Sequence, residues 1–305
     1  MTGRLEVEVT PPWPYRLPRR GAGDGTTRAR DGVLSRLLHI DSRPIVVHAW
    51  QRDSGDVVFR AAGDARKREL TVAIERMRFA LGVDEDYAAL YAEYRHDPLI
   101  GPAIRRRPWV RPRRRPWPWD ALVSAIAGQL IEASRARQIE RRMVRRWGRG
   151  IEARPRSVWT GPGPLRDFPS ALVVAGRAPA ELAAMDLAPA RALAMIRCAK
   201  EVANGWTDLI DPAADARLLA ISEIGPWTVQ CLGMYGRGEP DSLPAGDLAF
   251  VKLVGRLAGL RRRASVAEVE EYFAPYAPYR GLAAMFALTQ YHLGIEAGPP
   301  LRLAA

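Results

Sequence analysis

Cysteine, lysine and long apolar runs are scarce in this 305-residue chain, and each shortage excludes something. Two cysteines, Cys198 and Cys231, cannot build a disulfide framework and point to a reducing compartment. No run approaches the roughly eighteen apolar residues of a membrane span. The first thirty residues also lack a signal-peptide core. We therefore expect a soluble cytoplasmic protein, associated with the nucleoid, with no membrane partner. The histidines, His39, His48, His96 and His292, are scattered without ligand spacing, so no catalytic zinc is expected. Lysine occurs only at positions 67, 200 and 252.

What the chain has in excess is arginine. Lys and Arg number 46 against 34 acidic residues, for a formal net charge of +12. GC-rich coding would also enrich Ala, Arg, Gly and Pro, but it should not leave acids this sparse. The surplus favours a polyanion partner. The length suffices for a full core and for two domains.

Residues 1–100 read as a small N-terminal α/β (α+β) domain. Leu5 to Val9 alternates as a strand does, Pro44 to Trp50 forms another, and Asp53-Ser54-Gly55-Asp56 supplies a turn before Val57-Val58-Phe59. Leu70, Ile74, Met77 and Leu81 then repeat at helical spacing up to Gly82. Residues 101–118 form an Arg/Pro/Trp-rich connector with seven arginines between Arg105 and Arg115 and no acid before Asp120. It is either a solvated linker or a strap against phosphates. Residues 119–305 are helical almost throughout, interrupted among other places at Gly128, Gly161–Pro164, Pro189, Pro244 and Gly294. The fold class is mainly α, a two-lobed helical domain behind the small first one.

One segment carries most of the chemical information. An apolar helical face (Leu218, Leu219, Ile221) breaks at Ile224-Gly225-Pro226, and a second helix restarts from Trp227-Thr228. Two helices joined by a tight turn leave the second helix's first amides without intrahelical partners, which suits an anion. Downstream, Asp247 follows Pro244-Ala245-Gly246 at the start of another helix. Asp247 could be a plain N-cap, a catalytic carboxylate, or both.

These residues resemble the hairpin and following carboxylate of the helix-hairpin-helix DNA glycosylase superfamily, in its 3-methyladenine DNA glycosylase II branch. The match runs through Leu218, Ile221, Ile224, Gly225, Trp227, Thr228, Pro244, Gly246 and Asp247. Ala125 to Leu130, Phe168-Pro169 and Leu187 to Arg191 are similar to further landmarks of that branch, and TPPWPYRL near Thr10 more loosely. Good coverage extends over residues 116–295.

The resemblance implies a monofunctional DNA N-glycosylase acting in base excision repair, as a monomer, on double-stranded DNA containing damaged bases. It would flip out and excise alkylated purines of the 3-methyladenine type and leave an abasic site. Asp247 would stabilise the sugar cation. Gln129 and Leu130 would fill the gap left by the extruded base, although Leu122, Ile126 and Leu130 also share a core-like stripe. Glu223, Ile224, Gly225, Pro226, Trp227 and Thr228 would form the phosphate-binding hairpin. The carbonyls of Leu219, Ile221 and Ile224 would hold a structural Na+ or K+. With two cysteines, the four-Cys iron–sulfur cluster of the endonuclease-III-like branch is not expected.

Several positions depart from the branch's pattern. Glu223 stands where the hairpin's first glycine is expected. Trp227 stands where bifunctional relatives carry a Schiff-base lysine, so it is assigned to the wall of the base pocket. Cys231, Leu248 and Leu288 occupy pocket positions that are aromatic in the best-known bacterial pattern. Tyr235, Phe250 or Phe286 are the residues that could compensate. Lys252 should point away from Asp247, and Asp241 is a weaker candidate for its role. A non-catalytic DNA-binding or damage-sensing protein would keep the hairpin without the chemistry.

Overall fold

The computed structural model describes residues 3–151 and 163–292. Breaks expected at Gly161 and Gly294 fall outside these residues. The chain opens with an antiparallel sheet of β1 (Gly3–Val9), β2 (Thr27–Arg30), β3 (Val33–Ile40), β4 (Arg43–Gln51) and β5 (Val57–Gly63), in the order β1-β5-β4-β3-β2. β2 and β3 were not legible beforehand. β3 (VLSRLLHI) is buried along nearly its whole length and so lacks an alternating signature.

Helix α1 (Lys67–Leu81) covers one sheet face with Leu70, Ala73, Ile74 and Met77, a stripe at helical spacing. Its start is held by the Glu69 carboxylate, which accepts the Arg66 N–H at 2.8 Å. It ends at Gly82, whose φ of 63° is the left-handed geometry of a helix stop.

The remaining helices form two lobes. α2 (Ala88–Tyr94) and α3 (Gly101–Arg106) come first, followed by α4 (Pro118–Gly128) and α5 (Ala133–Trp147). A short pair, β6 (Gly150–Ile151) and β7 (Leu165–Arg166), leads to α6 (Ala171–Ala175), α7 (Pro179–Ala183), α8 (Pro189–Ala203) and α9 (Ala214–Leu219). Then come α10 (Pro226–Leu232), running into one π-helical turn at Gly233–Arg237, α11 (Leu248–Leu257), α12 (Val266–Phe273) and α13 (Arg280–His292). One core gathers residues of α4 to α10, with Leu122, Ile126, Met195 and Leu232 at its centre. A second joins α2 and α3 to α11, α12 and α13 through Leu90, Ile100, Phe273 and Phe286.

This packing corrects the domain boundary drawn at residue 100. Tyr87 to Ile104 belong to the second lobe, so the chain enters that lobe, crosses to the first, and returns. The Arg-rich run is the crossing between lobes. It is not a connector between the sheet domain and the helices.

Candidate active site

A cleft of about 1570 Å³ lies between the lobes and extends toward the sheet domain. Asp247, Trp227, Leu248, Leu288, Leu130 and Glu223 all line it. The volume exceeds the roughly 300–1,000 Å³ of ordinary small-molecule sites, as a groove for a polymer would.

The hairpin is built from α9, the turn 220–225 and α10. Ile224 donates its N–H to the Ile221 carbonyl at 3.0 Å, which closes the turn. Between them Glu223 takes a φ of 72°, a left-handed conformation that glycine adopts at lower cost. The turn therefore keeps its shape without the expected glycine, and the Glu223 residue stays exposed. Pro226 occupies the first helical position, where no N–H is needed. Thr228 gives its N–H to the Gly225 carbonyl at 3.0 Å. Of the hairpin amides assigned to phosphate, Thr228's is thus already committed.

Asp247 caps α11: one carboxylate oxygen, Oδ1, accepts the Ala249 N–H at 2.8 Å. The other makes no hydrogen bond among the described residues. The cap fixes the side chain at a helix N-terminus, where the macrodipole favours its charge. Capping and a cleft-facing role therefore coexist. Asp241 is engaged elsewhere, accepting from the Arg280 side chain at 2.9 Å and its backbone at 3.0 Å.

Leu130 follows α4 with a φ of 55° and is 97% exposed. Leu122 and Ile126, by contrast, are fully buried, so the stripe they seemed to share ends before Leu130. Gln129 behaves differently from its neighbour. Its Nε2 donates to the Glu223 carbonyl at 2.7 Å and to Thr228 Oγ1 at 3.0 Å, so its side chain turns onto the hairpin.

No family model matches the chain. It is 27% identical over 240 residues to a probable bifunctional transcriptional activator/DNA repair enzyme AlkA of Mycobacterium tuberculosis, covering 76% of this chain and 45% of that protein. It thus spans less than half the length of that relative. It is 23% identical to a DNA-3-methyladenine glycosylase of Bacillus subtilis over 84% of this chain and 85% of the relative. A solved 3-methyladenine DNA-glycosylase from Archaeoglobus fulgidus superposes with a TM-score of 0.78 at 19% identity, over 96% of this chain and all of that one. The chain has the helix-hairpin-helix DNA glycosylase fold.

Within the glycosylase fold, three assignments made from sequence need correction. Cys231 is buried beneath the cleft and does not line it, and burial, with Asp247 nearby, pushes its thiol pKa well up. Tyr235, Phe250 and Phe286 do not replace the missing pocket aromatics, because they pack into the lobe cores. Among the described residues, the rings that line the cleft besides Trp227 are Tyr15, Trp109, Tyr291 and the His292 imidazole. Trp109 carries the Arg16 guanidinium 3.4 Å from its ring centroid. Trp109 sat in plain view within the Arg/Pro/Trp run, but only the crossing of that run between lobes brings it here. Lys252, expected to face away, is exposed on the cleft wall and forms no ion pair among the described residues.

Trp227 itself is flanked by glycine backbone on both sides. A methyl group on Gly128 would lie 3.6 Å from the ring, and one on Gly246 3.7 Å away. Both are ordinary packing distances, so the indole lies in contact with these two backbones between α4 and the turn before Asp247.

The arginine run proves to be neither a bare linker nor a plain phosphate strap. Arg114 pairs with Glu85 and donates to the Gly238 carbonyl at 3.1 Å. Arg115 pairs with Asp24 and, at 2.8 Å, with Glu140. Arg111 lies 4.3 Å from the Tyr87 ring centroid and donates to the Pro108 carbonyl at 2.9 Å. Only Arg105, Arg106, Arg107 and Arg113 are exposed.

Proposed function

We propose that the chain is a monofunctional DNA N-glycosylase that extrudes alkylated purines of the 3-methyladenine type from duplex DNA and hydrolyses their glycosidic bond. The observation that carries this reading is Asp247, a capped carboxylate with one oxygen free of hydrogen bonds among the described residues, on the wall of a cleft shared with the hairpin and an exposed leucine. The names of the Bacillus subtilis and Mycobacterium tuberculosis relatives support the same chemistry.

The hairpin grips backbone phosphate through the amides of Gly225 and Trp227. Leu130 enters the base stack where the target nucleotide has left it, since an apolar wedge sustains the opened duplex. As the base departs, the sugar gains oxocarbenium character, and the carboxylate of Asp247 stabilises that charge before water adds. An alkylated purine is cationic while still attached and departs as the neutral base, taking the electron pair of the glycosidic bond, so no separate general acid is required. Trp227, with Leu248 and Leu288, walls the base pocket. The carbonyls of Leu219, Ile221 and Ile224 would hold a structural Na+ or K+; that of Ile221 keeps a second lone pair beyond the Ile224 bond it accepts.

The test is release of free base from alkylated duplex DNA. Asp247→Asn should bind DNA nearly as well as the wild type and release base about two orders of magnitude more slowly. Wild-type release by that variant would remove Asp247 from the chemistry. Borohydride should trap no covalent DNA adduct, because Trp227 cannot form an imine. Trapping that Lys252→Met abolishes would make the enzyme a lyase as well.

A further inference from the structure

Three bonds converge on Gln129, the residue that precedes the exposed leucine. Its side-chain amide is held by the hairpin at Glu223 and Thr228, positions 94 and 99 residues away in sequence. Its carbonyl accepts a hydrogen bond from Arg191 Nη1 at 2.5 Å. Arg191 stands in the first turn of α8, where a positive charge meets the unfavourable end of the helix dipole. No acid occupies that turn. Leu130 meanwhile keeps a left-handed backbone and an almost fully solvated side chain. Left-handed backbone, an arginine at the wrong helix end and a solvated leucine each cost free energy in the free protein. A geometry needed on DNA would account for all three together.

We propose that Arg191 and the Gln129 amide form a two-sided latch that sets Leu130 at a fixed position relative to the hairpin, so that gripping phosphate and opening the stack occur as one rigid step. Arg191 is a positioning residue, acting through the Gln129 carbonyl. The proposal rests on the glycosylase reading above, and on Leu130 as its wedge. α8 supplies one side of the latch and the hairpin the other, with the loop after α4 pinned between them. A neutral side chain at 191 frees the loop to relax from its left-handed conformation. The wedge is then no longer held ready, and base extrusion is slowed while the cleavage step is not.

The experiment is a double-mutant cycle on base release, measured on duplex and single-stranded alkylated DNA. Arg191→Met should slow release from duplex about tenfold, the rate equivalent of roughly 1.4 kcal/mol. It should leave single-strand release and the melting temperature nearly unchanged. Arg191→Lys should restore most of the duplex rate, since an ammonium can still reach a carbonyl. Added to Leu130→Ala, Arg191→Met should slow the enzyme no further, because the latch acts only through the wedge. Equal slowing on both substrates, failure of lysine to rescue, or additive effects with Leu130→Ala would overturn the latch. Should Leu130→Ala alone slow both substrates equally, the wedge itself fails and the latch falls with it. Absence of base release by the wild-type chain would defeat the glycosylase reading instead, a result distinguishable from both.

Discussion

Two regions of this molecule invert the usual placement of residues, in opposite directions. At the mouth of the cleft, Leu130 and Leu248 stand 97% and 49% exposed. At the seam between the sheet domain and the first lobe, charged side chains are buried. Arg36 meets Asp120 at 3.1 Å with both side chains almost inaccessible. Arg115 joins Asp24 to Glu140, and the Asp167 carboxylate accepts the His39 backbone N–H at 2.8 Å. Burial of charges is tolerated only when they are paired, and the net gain over an apolar seam is often small. An exposed leucine gains nothing until something covers it. The seam therefore describes how the domains are fixed together, whereas the cleft describes what the domains are fixed for.

The largest expected effects lie in the seam. Arg115→Met should destabilise the fold by about 3–5 kcal/mol, since Asp24 and Glu140 would be left as buried unpaired charges. Base release per folded molecule should stay the same, and denaturant unfolding beside an activity titration checks both. Unchanged stability would mean the seam is solvated in practice and the contrast with the cleft dissolves.

Next in size is the difference between two leucines of one apparent stripe. Leu122→Ala should cost about 2–5 kcal/mol, as core truncations do. Leu130→Ala should stay within about 0.5 kcal/mol of the wild type, as at other exposed sites. Equal losses in thermal unfolding would place Leu130 in the core.

The arginine run splits along the same line. If Arg113, exposed and cleft-lining, meets phosphate, Arg113→Ala should reduce the slope of log affinity against log salt by about 0.9. The buried Arg114 is expected to leave that slope unchanged when replaced by Lys. A slope that moves only with Arg114 would reverse the assignment of bound and structural arginines.

The seam also implies a pH dependence. Burial, with the charge of Asp167 nearby, pushes the Asp120 pKa from 3.8 up to about 7 despite the opposing pull of Arg36. The folded chain thus keeps a proton that the unfolded chain releases. The stability linked to that proton is complete below about pH 4 and is lost as pH rises through about 7. Asp120→Asn should flatten the fall in melting temperature over that window. An unaltered slope would assign the pH dependence to another group.

How much was readable beforehand follows the distance over which each feature is determined. The hairpin and Asp247 were legible because turn chemistry and capping act within a few residues: Ile224 to Thr228 fix one turn, and Asp247 caps the helix it begins. α1 was legible for the same reason, through its periodic stripe and Gly82. β3 was not, since burial of both faces erases the period-two pattern. Gln129 was read as part of the wedge, yet its partners lie on the hairpin.

By itself, the sequence determined the helical character of the chain, its basic charge, the hairpin with its tight turn, and a carboxylate at the head of α11. These follow from local spacing, propensity and composition, which need no partner from elsewhere in the chain. The tertiary structure decided which arginines are structural and which are free, which aromatic rings face the cleft, and that Arg191 and the hairpin meet at Gln129. Each of those depends on contacts between segments far apart in sequence, and packing chooses among such contacts only when the lobes close on one another.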